Sequence, residues 1–330
     1  MQTVGGGVLL FSLSMSLTSC EDILGHWEKP TPNPITPGGG SSSDEPTPTM
    51  KATPLTLEAI TAGTIKVTSP KAGMQYSLNG DAKQAVTTDA ITVAIGDKVQ
   101  FYGNGTSITA YYILDSETSN DTNISGGTAK VKVYGNIMSL VDETGYETAT
   151  ALTGDFAFDS LFKGNTTLTD ISDLQLPATD LTRACYQNLF QGCTSLTTIP
   201  EKLLPATNLA VACYSHMFEG CTGLTTAPEL PATTLTIYCY CTMFSGCSNL
   251  IATPHLAAPT SALVDFCYQA MFNKCTSLTK AYVKAGYKNT SSIHECELMF
   301  KDCPSSGDLY TNGDWSTADA VSGWTKHSYE

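Results

Sequence analysis

Cysteine is the residue type in this chain whose number and spacing could do chemistry. Ten of the twelve cysteines among 330 residues fall into five pairs, whose members lie seven or eight positions apart. The pairs are Cys185/Cys193, Cys213/Cys221, Cys239/Cys247, Cys267/Cys275 and Cys296/Cys303. Two thiols at this spacing could form a disulfide, fill the core as small apolar side chains, or bind a metal ion.

The disulfide interpretation predicts five bridges, each joining the start of a short helical segment to its end. The unit before the first pair lacks both cysteines and has Ala157 and Asn165 instead, as expected if the two are bonded. A straight helix would hold residues eight apart at about 12 Å, whereas bridged Cα atoms lie within about 7 Å. The chain must then turn between them, which Gly192 would permit. The alternative is that both thiols are buried and stacked in rungs.

No catalytic site, metal site or cofactor site is expected. The cysteine spacing is not that of a zinc site, and His216, His255 and His294 do not recur with the cysteines. The sequence contains no nucleophile-elbow, zinc-protease or phosphate-loop motif. A net charge of −14 with only 17 lysines and arginines argues against nucleic acid as a partner. Cys241 has no counterpart in the other units, which predicts an outward-facing thiol that is free or pairs with another molecule.

The cysteines belong to a repeat that occurs six times. Its clearest form is Met-Phe-x-Gly-Cys-Thr-x-Leu, and its phenylalanines are spaced 28, 28, 26, 28 and 28 residues apart. Such a period predicts stacked units, each burying its apolar face against its neighbours. The predicted repeat core consists of Phe162, Phe190, Phe218, Phe244, Phe272, Phe300, Leu168, Leu196, Leu224, Leu250 and Leu278.

Each unit is predicted to contain a strand, a proline corner and one or two helical turns. Residues 194–199 are short and rich in β-branched residues, which favours a strand. Residues 181–190 place apolar side chains at roughly helical spacing, and Gly192 would end the helix. The predicted fold class is an α/β repeat solenoid of the leucine-rich-repeat type, with short parallel strands on one face and short helices on the other, preceded by a small all-β domain.

The repeat resembles the BspA-like leucine-rich repeats of bacterial surface proteins, which follow the pattern Ile-x-x-x-Ala-Phe-x-x-Cys-x-x-Leu. Residues 217–224, Met-Phe-Glu-Gly-Cys-Thr-Gly-Leu, carry the resemblance most clearly, and it covers residues 155–305. The units are longer than is usual in that family, and a cysteine stands where isoleucine is common. Both departures resemble repeat lipoproteins of gut Bacteroidetes. The resemblance implies a non-catalytic binding or adhesion role toward a host protein, a mucin or other glycan, or a neighbouring cell.

The beginning of the chain predicts a secreted protein held by a lipid. Within residues 1–20, an apolar stretch too short to span a bilayer ends in Leu-Thr-Ser-Cys, which resembles a lipobox with Cys20 as the lipidated residue. Residues 21–54 are rich in proline, glycine and serine and predict an extended tether. The predicted location is the cell envelope, anchored to the outer membrane and exposed at the surface.

Three further segments complete the predicted organisation. Residues 55–129 alternate apolar and polar positions between turn signals, which predicts a β-sandwich-like domain. Residues 130–154 would cap one end of the repeat stack at 155–305, and residues 306–330 would cap the other.

Two columns of the repeat are weak candidates for a binding surface. Thr198 and Thr226 would present hydroxyl groups on the strand face. The second column would form either a surface stripe or the rim of the core, and consists of Tyr186, Tyr214, Tyr240 and Tyr268. Two other functions compete with adhesion. One is carbohydrate capture for a polysaccharide-uptake system with the site in the β domain, and the other is a structural spacer without a ligand.

Overall fold

Short β-strands and tight turns, with almost no helix, make up the fold. The computed structural model describes residues 53–105, 107–108, 121–286, 294–315 and 321–330. The lipobox-like Cys20 and residues 21–52 of the predicted tether lie outside the described residues. Within those ranges, the helical segments are three short 3₁₀ helices, Ile137–Leu140, Thr260–Ala262 and Val321–Gly323.

Six strands precede the repeats. They are β1 (Thr56–Ala59), β2 (Gly63–Ile65), β3 (Gln75–Leu78), β4 (Gln84–Ala85), β5 (Ile91–Val93) and β6 (Lys98–Tyr102). β4, β3, β6 and β1 pair antiparallel in that order, while β2 and β5 form a separate pair. Leu57, Val99 and Phe101 are buried because alternate side chains of these strands face the core. The sandwich packing and the two capping segments stay predictions.

A seventh strand connects these antiparallel strands to the first repeat unit. β7 (Val131–Asn136) pairs antiparallel with β1 on one side. On the other side it pairs parallel with β8 (Leu168–Asp170) and β9 (Leu174–Gln175). One mixed sheet in the order β4-β3-β6-β1-β7-β8 therefore continues from the front strands into the repeats.

The last units form a four-stranded parallel sheet. Its strands are β10 (Ala252–Leu256), β11 (Lys280–Val283), β12 (Asp308–Tyr310) and β13 (Thr325–His327), in chain order. Each pairs with the next, and the β10–β11 pair contains a register shift between Ala252 and His255. The expected repetition of short parallel strands is therefore present in this part of the chain.

The strand predicted at 194–199 is not formed. Only an isolated parallel bridge joins Asp170 to Thr198 in that unit. Pro200 follows at the position that Tyr282 and Tyr310 occupy in the later units, ten residues after the repeat phenylalanine. Proline has no amide hydrogen and cannot donate to a ladder, which disfavours a strand there. Pro254 holds the same position in β10, where the pairing shifts register between Ala252 and His255.

The helix predicted at 181–190 is also wrong, because the segment forms successive turns. Ala184, Asn188 and Gly192 have φ values of 51°, 54° and 73°. These values lie in the left-handed region, which an α-helix of L-residues cannot contain. A left-handed residue at every fourth position therefore redirects the chain before a helical turn can continue.

The backbone amides of this turn segment alternate between two kinds of partner. Gln187 and Gln191 donate to carbonyl groups three residues earlier, at 3.2 and 3.0 Å, which closes the turns. The residues between them bond to the next unit. The amides of Tyr186, Asn188 and Phe190 donate to the carbonyl groups of Cys213, Ser215 and Met217, at 3.0, 3.1 and 2.9 Å. The turn side is thus a second ladder between units and satisfies amides that a helix would have paired internally.

The six repeat phenylalanines form a continuous buried column. Consecutive rings stack with centroids 5.4–5.7 Å apart and planes within 12° of parallel. Each ring is at most 4% exposed, and the five repeat leucines are 0% exposed. Aromatic pairs of this geometry contribute roughly 0.5–1.5 kcal/mol beyond the area they bury, so the column stabilises every junction between units.

Lys274 provides a test of the turn geometry. Its equivalents Gly164, Gly192, Gly220 and Gly246 have φ near 70°, whereas the exposed Lys274 is held at 61°. A left-handed L-residue costs about 1–2 kcal/mol, and glycine regains about 0.4–1 kcal/mol of that in unfolded-state entropy. We predict that Lys274→Gly raises the free energy of unfolding by about 0.5–1 kcal/mol, measured by urea denaturation.

The matched control is Lys301→Gly. Lys301 is also exposed, lies in the neighbouring unit and has no left-handed backbone. Glycine at position 301 relieves no backbone strain and raises the entropy of the unfolded chain. The free energy of unfolding should therefore fall by about 0.5–1 kcal/mol. Equal losses in both variants would contradict the left-handed geometry at Lys274.

Candidate functional site

The ten paired cysteines are free thiols in the structure. Nine are buried and Cys303 is half-buried. The second thiol of each pair donates to the preceding unit: Cys193 lies 3.1 Å from the carbonyl oxygen of Phe162, and Cys221 lies 3.0 Å from that of Phe190. The five predicted disulfides are therefore not formed, and the stacked-rung alternative describes the arrangement.

Burial makes these thiols unreactive at neutral pH. It raises the pKa of Cys185, Cys193 and Cys247 to about 12. The thiolate is the form that attacks electrophiles and binds metals, and such a pKa leaves almost none of it at neutral pH. In the described ranges, no group of three or more His, Cys, Asp or Glu side chains could hold a metal ion.

The column containing Cys241 is packed and does not face outward as expected. Cys241 is 0% exposed. Asp159 heads the same column, and burial raises its pKa to about 7. His216 in the adjoining column is also buried, with its Nδ1 2.7 Å from Oε2 of Glu219.

The tyrosine column does not form a surface stripe. Tyr186, Tyr214, Tyr240 and Tyr268 are at most 1% exposed. Their rings stack on one another with centroids 5.9–6.1 Å apart. These tyrosines are a second aromatic column of the interior, parallel to the phenylalanines, and no ligand can reach them.

A different set of aromatic side chains lies on the outward face of the carboxyl-terminal sheet. His255, Tyr282, Tyr310 and His327 occupy matching positions on β10, β11, β12 and β13, and we call them the aromatic row. The two imidazoles are exposed and the two tyrosines are half-buried. Their neighbours Ala281, Val283 and Leu309 are 0% exposed and point into the core.

Strand spacing sets the geometry of the aromatic row. Ring centroids are 4.3, 4.6 and 4.8 Å apart along the row, with planes 14–22° from parallel. Neighbouring strands lie about 4.7–4.9 Å apart, so one ring per strand in register stacks without further adjustment. The ring faces are therefore covered by one another, and the row presents ring edges and polar tips to solvent.

Those polar tips are available for a ligand. The phenol hydroxyls of Tyr282 and Tyr310 make no hydrogen bond to another described residue. At one end of the row, Tyr329 packs edge-on against His255 with centroids 5.8 Å apart. Tyr329 is held there because its backbone exchanges two 3.1 Å hydrogen bonds with the side chain of Asn312. At the other end, the exposed ring of His327 stacks on Tyr310 and on no other ring of the described residues.

A second row runs beside the aromatic row, two residues earlier on most strands. It contains Lys280, Asp308 and Thr325, aligned in register. Thr198 and Thr226 hold the equivalent positions in earlier units and are exposed. These two predicted binding candidates therefore lie on the same column as the polar row of the carboxyl-terminal sheet.

The charges on this face are unevenly paired. Asp308 accepts a 2.9 Å hydrogen bond from Nε2 of His327, which fixes that imidazole. Lys280 at the start of β11 and Lys284 directly after its end are exposed, and neither forms an ion pair with a described residue. The face therefore offers two free ammonium groups around a line of hydroxyl and imidazole tips.

The aromatic row was not predicted from the sequence. One signal was available, because Tyr282 and Tyr310 both lie ten residues after a repeat phenylalanine. His255 was hidden by a register shift between Ala252 and His255 in β10. His327 was hidden because β13 follows β12 without another complete repeat motif.

Comparison of the chain with family models, with curated proteins and with solved structures finds no match. In the described part of the chain, no helix has the length and apolar character needed to cross a membrane.

Thiol chemistry tests the stacked-rung arrangement. We predict that the native protein resists alkylation by iodoacetamide at the ten paired cysteines, because burial suppresses their thiolates. Cys303, which is half-buried, is expected to react first. After unfolding in urea without reductant, all ten should be alkylated, as counted by mass spectrometry. Unfolded protein that requires a reductant before these ten react would instead establish the disulfides.

Proposed function

We propose that the chain is a non-catalytic binding protein whose ligand is a glycan held on the outward face of the carboxyl-terminal sheet. The repeats would form a leucine-rich-repeat-like solenoid of the BspA type, and the front strands a sandwich-like domain. The observation that carries the proposal is the aromatic row, with the hydroxyl tips of Tyr282 and Tyr310 between two exposed imidazoles at the spacing of the strands.

The chemistry of the face favours a sugar polymer over a protein partner. A protein interface usually needs an apolar, well-packed centre. Among the described residues, Ile251 is the exposed large hydrophobic residue adjoining this face. The tips are instead hydroxyl and imidazole groups, which can donate and accept hydrogen bonds, at the regular spacing of the strands, which suits the repeated hydroxyl groups of a glycan.

The contacts available to a sugar follow from the ring orientation. Because the rings stack on one another, a pyranose can stack only on the outer face of His327, at the end of the row. Elsewhere it would lie across the row and exchange hydrogen bonds with Tyr282 and Tyr310. Thr198 and Thr226 would extend the contact along the polar column. Binding would depend on many weak contacts to a polymer, because each net hydrogen bond contributes only about 0.5–1.5 kcal/mol.

The double variant Tyr282→Phe/Tyr310→Phe tests this function. It keeps both rings in the stack and removes the two hydroxyls. With the full chain on a panel of immobilised polysaccharides that includes xylan, dextran, polygalacturonate and mucin glycans, we predict binding by the native protein and about tenfold weaker binding by the variant, from the loss of two hydrogen bonds.

The control is Tyr76→Phe, which removes the hydroxyl of a tyrosine on β3, among the front strands. It should leave affinity unchanged. Native-like binding by the double variant would contradict the site. Loss of binding through changes among β1–β6 alone would favour carbohydrate capture by the front strands. If the chain binds no glycan, the remaining hypothesis is a structural spacer without a ligand.

We also propose that the protein is anchored through Cys20 at the outer membrane, with residues 21–54 as a tether that holds the binding face away from the lipid. Cys20→Ala removes the acceptor of the lipid, so we predict that the variant moves from the membrane fraction to the soluble fraction or the medium. The control is Cys303→Ala, which leaves the lipobox intact. Continued membrane fractionation of Cys20→Ala would contradict lipidation.

A further inference from the structure

The lysines beside the aromatic row add information about the class of glycan. Lys280 begins β11 and Lys284 directly follows its last residue; both are exposed, two residues before and after Tyr282. Four residues of strand separate their Cα atoms by about 13 Å. A polymer lying along the aromatic row, across the strands, would therefore pass between two ammonium groups.

The remaining charge on this face offsets only one of them. Asp308 is the acidic side chain aligned with Lys280, and its carboxylate keeps its negative charge while it accepts the hydrogen bond from His327. The ring edges that face solvent carry the positive side of the aromatic quadrupole. Phenol hydroxyls and imidazole N–H groups can donate as well. The face is thus rich in donors, and its two lysines outnumber the aligned carboxylate in a protein whose net charge is −14.

From this geometry we infer that the glycan is anionic and carries carboxylates, as a polyuronate does. The inference rests on the proposed function of the same face. Two ammonium groups on opposite sides of the polymer can contact carboxylates that each sugar carries singly. A heavily sulfated chain would call for a dense basic cluster, which this face lacks. Elsewhere the acidic surface would repel a polyanion, so binding would be confined to the sheet.

The experiment compares polygalacturonate with its fully methyl-esterified form, which has the same backbone without charge. With the full chain at low salt, we predict at least tenfold tighter binding of the acid form, and a loss of that preference as salt screens the charges. Lys280→Gln/Lys284→Gln should abolish the preference while leaving affinity for the ester unchanged. The control Lys130→Gln/Lys202→Gln removes two exposed lysines from other surfaces and should change neither affinity.

The outcomes separate this inference from the proposed function. Equal binding of both forms, lost in Tyr282→Phe/Tyr310→Phe, would overturn the anionic class and keep the glycan site. Tighter binding of heparin than of polygalacturonate would overturn the choice of carboxylate over sulfate. No binding of either form, or of any neutral glycan, would overturn both proposals.

Discussion

Hydrogen bonding between equivalent residues of successive units is the constraint on which the rest of the structure depends. On the turn side, the amides of Tyr186, Asn188 and Phe190 reach across to the next unit instead of closing a helix. On the opposite side, β10 to β13 make the same kind of contact as parallel strands. Two ladders hold each unit at a fixed distance from its neighbour, and that distance determines which side chains can stack.

The aromatic columns follow from that distance. The repeat phenylalanines, 5.4–5.7 Å apart, fill the interior, and the exposed rings of the aromatic row lie 4.3–4.8 Å apart on the sheet. One principle therefore produces both the core and the candidate site. The phenylalanines lie on the turn segments, whereas the aromatic row lies on strands, where neighbouring residues face opposite ways. Tyr282 is half-buried for this reason, while Val283 beside it is fully buried.

The cysteines show how contacts between units determine the reactivity of a side chain. Each thiol of the second column approaches a phenylalanine carbonyl of the preceding unit, as Cys193 does with Phe162, instead of the other cysteine of its own unit. Burial then raises the pKa of these thiols and suppresses reaction. The first unit lacks both cysteines, which suggested that the two are bonded in the other units. The same absence is expected if this unit differs because it packs against β7 and the front strands instead of against another repeat.

The sequence by itself determined the period, the proline corners and the positions of the core. A residue such as Phe218 recurs at 26 or 28 positions because its contacts are with its own equivalents, and that spacing is visible in a single chain. Only the tertiary structure decided the turns, the free thiols and the aromatic row. Helical spacing at 181–190 could not reveal that alternate amides bond some 27 residues away. The register shift before His255 likewise depends on how two strands meet, which no local pattern records.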